Sequence, residues 1–178
     1  MMQDRSATAR RLARWRWTIP AALLTLGALL AQQSRAADLL ARIEGRWTAA
    51  DGQDFAMTWS QRDGGFVLRW SVPGGGEAEA AFVPTARQGV LAARNERGWA
   101  MFGRDEPVNP LVEGTLYWAR LADDAVHVYS LAIDDKGAFV LDHYACRPAG
   151  EKLEVAFRRR LPDDKVEERA MTLTRATP

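Results

Sequence analysis

His127 and His143 are the two histidines of the chain, and Tyr129 lies two residues beyond the first. On extended strands His127 shares a face with Tyr129, Leu131 and Ile133, while His143 shares one with Phe139 and Leu141. A three-residue hairpin loop at Asp135-Lys136-Gly137 would set Leu131 against Leu141 and Tyr129 against His143. His127, Tyr129 and His143 then converge on the apolar face. A two-residue loop would move His143 to the opposite face instead. Converged, the three side chains suit a polar ligand head, an axial bond to haem iron or acid–base work. A hydrogen-bonded structural pair is the other reading, and it requires no ligand.

Arg159 alternates with Leu153, Val155, Phe157 and Leu161. Either it points inward, where a guanidinium can receive a ligand carboxylate, or it stands in solvent with Arg158 and Arg160 at a strand end. Trp59, Trp70, Trp99 and Trp118 offer flat apolar surfaces that line a cavity or fill a core. The pairs Asp123-Asp124, Asp134-Asp135 and Asp163-Asp164 sit in turns, where their side chains bond nearby backbone without calcium. The single cysteine, Cys146, excludes an intrachain disulfide and reads as a small buried apolar residue. There is no nucleophile elbow, phosphate loop or His-Glu-x-x-His motif. No catalytic residue, metal site or cofactor is expected.

Short strands must carry these side chains. From Ile43 onward apolar residues alternate with polar ones, and turn residues interrupt the pattern every eight to twelve positions. Trp47, then Phe55, Met57 and Trp59, then Phe66, Leu68 and Trp70 mark the first strands. Strands follow over 77–83, 87–93 and around Trp99, Met101 and Gly103. The second half gives 115–121, 125–133, 138–146, 152–160 and 166–174. The only helical segment is short, over 37–43. Glycine and proline fall in the connections, and no strand–helix–strand spacing occurs, which excludes a parallel sheet. So many consecutive hairpins expose sheet edges unless they close. The expectation is an all-β, single antiparallel up-and-down meander barrel of about 8–10 strands with a short N-terminal helix. The longest connection, Arg104–Gly114, is stiffened by Pro107 and Pro110 and is either a lid or a plain connection.

The first thirty-six residues read differently. Arg5, Arg10, Arg11, Arg14 and Arg16 precede a thirteen-residue apolar run, Ile19–Ala31, and Ser34 and Ala36 are small residues before a cleavage point. That is the layout of a secretory signal and is too short for a spanning helix. Residues 1–36 are therefore expected to be a signal peptide and 37–178 the exported domain, periplasmic or secreted. The full chain has 24 basic and 23 acidic side chains, and six arginines and one aspartate lie in residues 1–36. The remainder has 18 against 22, a formal −4. An acidic domain argues against nucleic acid as partner, and stable membrane insertion is not expected of it.

Gly45-Arg46-Trp47, after the short helix and opening the first strand, resembles the Gly-x-Trp start of lipocalin-like (calycin) barrels. The resemblance implies a tryptophan closing the barrel floor with an arginine from the last strands packed over its ring. Arg175 is the positional candidate and Arg159 the second. Lipocalins usually have eight strands and a C-terminal helix, whereas this chain ends in a strand. Fatty-acid-binding proteins place two helices after their first strand, and residues 49–55 leave no room for them. The haem-binding nitrobindin-like signature is not matched beyond Gly45 and Trp47. Together these features suggest a non-enzymatic binder of a small apolar or amphipathic molecule. The alternatives are a packed barrel serving as an envelope interaction module, or a haem-binding or enzymatic barrel using His127, Tyr129 and His143.

Overall fold

The computed structural model describes residues 34–49, 55–71, 77–94 and 114–176. Residues Ala37–Pro178 form the larger of two units in the chain. A helix over residues 34–43, α1, is followed by ten strands. These are β1 (Gly45–Ala49), β2 (Ala56–Arg62), β3 (Gly65–Ser71), β4 (Glu77–Pro84) and β5 (Val90–Arg94), then β6 (Leu116–Ala122), β7 (Ala125–Ile133), β8 (Phe139–Ala149), β9 (Lys152–Arg160) and β10 (Val166–Arg175). Each strand pairs antiparallel with the next in sequence, and β10 returns to β1. The result is an all-β closed barrel with a short helix. Closure gives both flanks of the meander a partner and removes the free edges that an open sheet would expose.

Period-two alternation sorts the side chains. Trp47, Met57, Trp59, Phe66, Leu68, Phe82, Leu91, Val126, Val128, Leu153, Val155 and Leu173 are buried inside. Their neighbours in sequence face out. One close approach dictates a residue type: a Cβ on Gly65 would fall 1.9 Å from the Phe82 carbonyl oxygen, so β3 and β4 can meet there only over glycine.

The two ends of the barrel differ. At the end where α1 packs, β2–β3, β6–β7 and β8–β9 are joined by two-residue turns at Asp63-Gly64, Asp123-Asp124 and Gly150-Glu151. Asp63, Gly64, Asp123, Asp124 and Gly150 have φ between 51° and 75°, the left-handed conformation that matches the strand twist in such turns. The connections β1–β2, β3–β4, β5–β6, β7–β8 and β9–β10 all leave from the opposite end. The expected strand at Trp99, most of the Arg104–Gly114 connection and residues 1–33 lie outside the described residues.

Candidate functional site

The floor is built by α1, β1 and β10. Leu39, Leu40 and Ile43 of α1 are buried against the barrel, with Trp47 fully enclosed. The Trp47 indole N–H donates to the Ile43 carbonyl at 2.8 Å. Arg175, paired opposite Trp47, holds its guanidinium 4.2 Å from the indole centroid. Its Nη1 donates to the Glu44 carbonyl at 2.5 Å and its Nη2 to that of Arg42 at 2.9 Å. Carbonyls at the helix end, which lack partners within the helix, are thus bonded by the residues that close the barrel. Gly45 lies beneath this contact with φ of 118°, and a Cβ there would come within 2.7 Å of Arg175 Nη1.

Above the floor the interior is aromatic and fully apolar. Trp59 packs on Phe66 with centroids 5.1 Å apart, and Phe66 on Phe82 at 4.7 Å. Trp59 is 1% exposed, and its indole N–H is buried without a hydrogen-bond acceptor among the described residues. Cys146 is also fully buried, and burial pushes its thiol up to about 12.

Towards the end away from α1 the character of the inner wall changes. Tyr117, Ser130, Asp142, Arg159 and Glu167 stand side by side across β6–β10. Trp70 on β3 meets Tyr117 on β6 edge to face at 5.6 Å. Two whole strands separate β3 from β6, so that contact crosses the interior and fixes the inward face of both. Tyr144 and Phe157, one row deeper, pack at 4.8 Å. Arg159 Nε donates to Asp142 Oδ1 at 2.7 Å and Nη2 to Oδ2 at 2.9 Å, a two-pronged ion pair. The Asp142 side chain is 13% exposed and that of Arg159 40%. The hydrogen bond to Asp142 raises the Arg159 guanidinium further above its already high value. Burial first, and Asp142 second, push the Tyr144 phenol up to about 12. Burial likewise raises Tyr117. Both phenols stay protonated at neutral pH and can donate.

The histidine cluster forms on the other side of the wall. The β7–β8 register pairs Leu131 with Leu141 and Tyr129 with His143, the pairing of the three-residue loop. Val126 and Val128 take the interior, so His127, Tyr129 and His143 project outward. His127 Nδ1 and His143 Nε2 lie 3.0 Å apart. Their planes differ by 15° and their centroids are 5.2 Å apart. The centroid separation exceeds the nitrogen separation by about two ring radii, so the imidazoles meet edge to edge along one N–H···N bond. Tyr129 stacks on His143 at 4.5 Å and Trp118 on Tyr129 at 5.0 Å, both within 7° of parallel. Burial, then His127 and Arg158, lower the His143 pKa, leaving the ring neutral at neutral pH.

The eight residues singled out as ligand contacts therefore separate. Trp70 and Arg159 lie on the inner wall at the end away from α1, and Trp59 is in the floor packing. Trp118, His127, Tyr129 and His143 are on the outer wall, and Trp99 lies outside the described residues. Because the chain has no histidine beyond these two, a haem in the lumen would find no imidazole to ligate it. Arg159 points inward, but its carboxylate partner is Asp142 of this chain. Sequence reasoning missed Tyr117, Asp142 and Tyr144. A two-residue turn at Gly150-Glu151 was the available signal, since counting back from Ala149 opposite Lys152 puts Asp142 opposite Arg159.

In comparisons with family models, known proteins and solved structures, nothing matches this chain. What stands on the geometry alone is a closed ten-stranded antiparallel barrel whose interior passes from a packed apolar floor to a ring-lined, ion-paired end.

Proposed function

We propose that this chain is an exported, lipocalin-like barrel that takes a small apolar or amphipathic molecule into its interior at the end away from α1, without catalysis. The observation that carries the reading is the change along the inner wall. Among the described residues the floor has no half-exposed ring, whereas Trp70, Tyr117, Tyr144 and Phe157 remain half-buried beside or below the polar pair Asp142 and Arg159. Apolar walls with a few convergent polar groups are what small-molecule sites use to desolvate and orient a ligand. The Trp47–Arg175 floor contact supports the lipocalin-like part, and the basic, apolar, small-residue order of residues 1–36 supports export.

A second reading rests on the outer wall. Trp118, Tyr129, His143 and His127 form a continuous row of rings facing away from the lumen, as an envelope interaction module would present. One titration separates the two. The uncharged probe N-phenyl-1-naphthylamine should bind the barrel saturably and quench its tryptophan emission. Trp70→Ala should weaken that binding by tenfold or more, and Trp118→Ala should leave it unchanged. Loss confined to Trp118→Ala would favour the outer wall. No saturable binding by apolar probes would overturn the lumenal reading.

A further inference from the structure

We infer that the head of the ligand accepted beside the Asp142–Arg159 pair is uncharged and bears a hydroxyl or amide, and that it is not a carboxylate. The inference rests on the lumenal reading above and specifies its ligand class.

Arg159 is the cation that faces inward beside Asp142, and its charge is already answered. Two of its five N–H donors go to the two oxygens of Asp142. Glu167 stands opposite Arg159 on the next strand, and the exposed Arg169 stands opposite Phe157 one row away. Among the described residues, the inward face of β8–β10 near this end thus carries two acids and two arginines, with a formal charge of zero. A ligand carboxylate entering here would lose its water and approach Asp142, a fixed like charge that is 13% exposed. To bind Arg159 it would have to displace Asp142 from a two-pronged pair and leave that carboxylate half-buried and unpaired.

A neutral head meets no such opposition. The bidentate pair leaves Asp142 lone pairs that can accept and Arg159 N–H groups that can donate. The Tyr117 and Tyr144 phenols are further donors beside it. A hydroxyl or primary amide offers both a donor and an acceptor to match, while its chain lies against Trp70 and Phe157. The chemistry required is that of a long-chain alcohol, a glyceryl ester or a fatty amide.

The test compares dodecanol, dodecanamide and dodecanoate as competitors of N-phenyl-1-naphthylamine on the full chain at neutral pH. The alcohol and amide should displace the probe at concentrations at least tenfold below those needed for the acid. Asp142→Asn keeps the shape but frees the Arg159 charge, and it should invert the order in favour of dodecanoate. An acid that outcompetes the alcohol on the wild-type barrel would overturn the inference while leaving the lumenal reading intact. Failure of all three competitors and of the probe would remove the lumenal reading itself. The wild-type order decides the matter even if Asp142→Asn does not fold. If that variant folds and still prefers the alcohol, Asp142 does not set the preference and the inference fails.

Discussion

Arg175 lies over the face of Trp47 while two of its nitrogens hold the carbonyls of Glu44 and Arg42. One side chain therefore joins the last strand, the first strand and the end of α1. The contact links chain positions more than 125 residues apart, and it forms only when the meander has closed. Trp47→Ala should cost about 3–5 kcal/mol, since a fully enclosed indole is replaced by a cavity under the helix. Gly45→Ala should cost about 1–3 kcal/mol, because φ of 118° is unfavourable for alanine and its Cβ would press on Arg175. Denaturant unfolding measures both. A Trp47→Ala protein with an unchanged midpoint would contradict the closure role.

Cys146 is fully buried, and burial raises its thiol to about 12. A protonated, enclosed thiol is a poor nucleophile. The native protein should resist an aromatic disulfide reagent at neutral pH, and one thiol per chain should react once denaturant is added. Stoichiometric labelling of the native barrel within seconds would mean that β8 opens freely.

The histidine pair makes stability depend on pH in one direction. Burial, with His127 and Arg158 adding to it, sets the folded pKa of His143 below its usual 6.5. The unfolded chain therefore takes up the proton first. This contribution is fully present above pH 6.5 and is lost as pH falls through that value towards the folded one. His143→Gln removes it. The stability difference between wild type and His143→Gln should shrink between about pH 8 and about pH 5 in denaturant titrations. A constant difference would show that the His127–His143 bond is indifferent to protonation.

The strands were legible because interior and exterior alternate with period two, and the β7–β8 register is the three-residue one of the two that the loop at Asp135-Lys136-Gly137 allowed. The sense of the face was not. On β7, Val126 and Val128 compete with His127, Tyr129, Leu131 and Ile133, and hydrophobicity favours the second set. The inner face of β7 takes the smaller valines, Val126 opposite Cys146 and Val128 opposite Tyr144, and the larger rings stack outside. Trp118 follows the same rule, because Ala119 beside it is the residue that fits inside. Asp142 escaped notice for a different reason. Its partner lies 17 residues away across a hairpin whose expected connection, between strands 138–146 and 152–160, is longer than the two-residue turn at Gly150-Glu151, and an aspartate amid aromatic and branched residues carries no motif of its own.

Export is tested by the mature N-terminus. If residues 1–36 are a signal, protein recovered from an envelope fraction should begin at or near Ala37, the start of the barrel unit. Recovery of intact Met1 or Met2 in a cytosolic fraction would defeat this part of the proposal.

The Asp142–Arg159 pair also makes a prediction about stability that is independent of any ligand. Its Asp142 end is nearly enclosed and its Arg159 end is not, so the pair sits between the exposed and buried regimes. Asp142→Leu leaves Arg159 unpaired but able to reach solvent, and should cost about 1 kcal/mol. Arg159→Met strands the more deeply buried carboxylate and should cost more, about 2–3 kcal/mol. The double variant replaces both charges by apolar groups against Phe157 and Tyr144. It should therefore be more stable than Arg159→Met alone, with the cycle giving a coupling of about 1 kcal/mol or more. Strict additivity would mean that the two charges do not sense each other in solution. The barrel end would then carry a free guanidinium, and an acid would be its expected ligand.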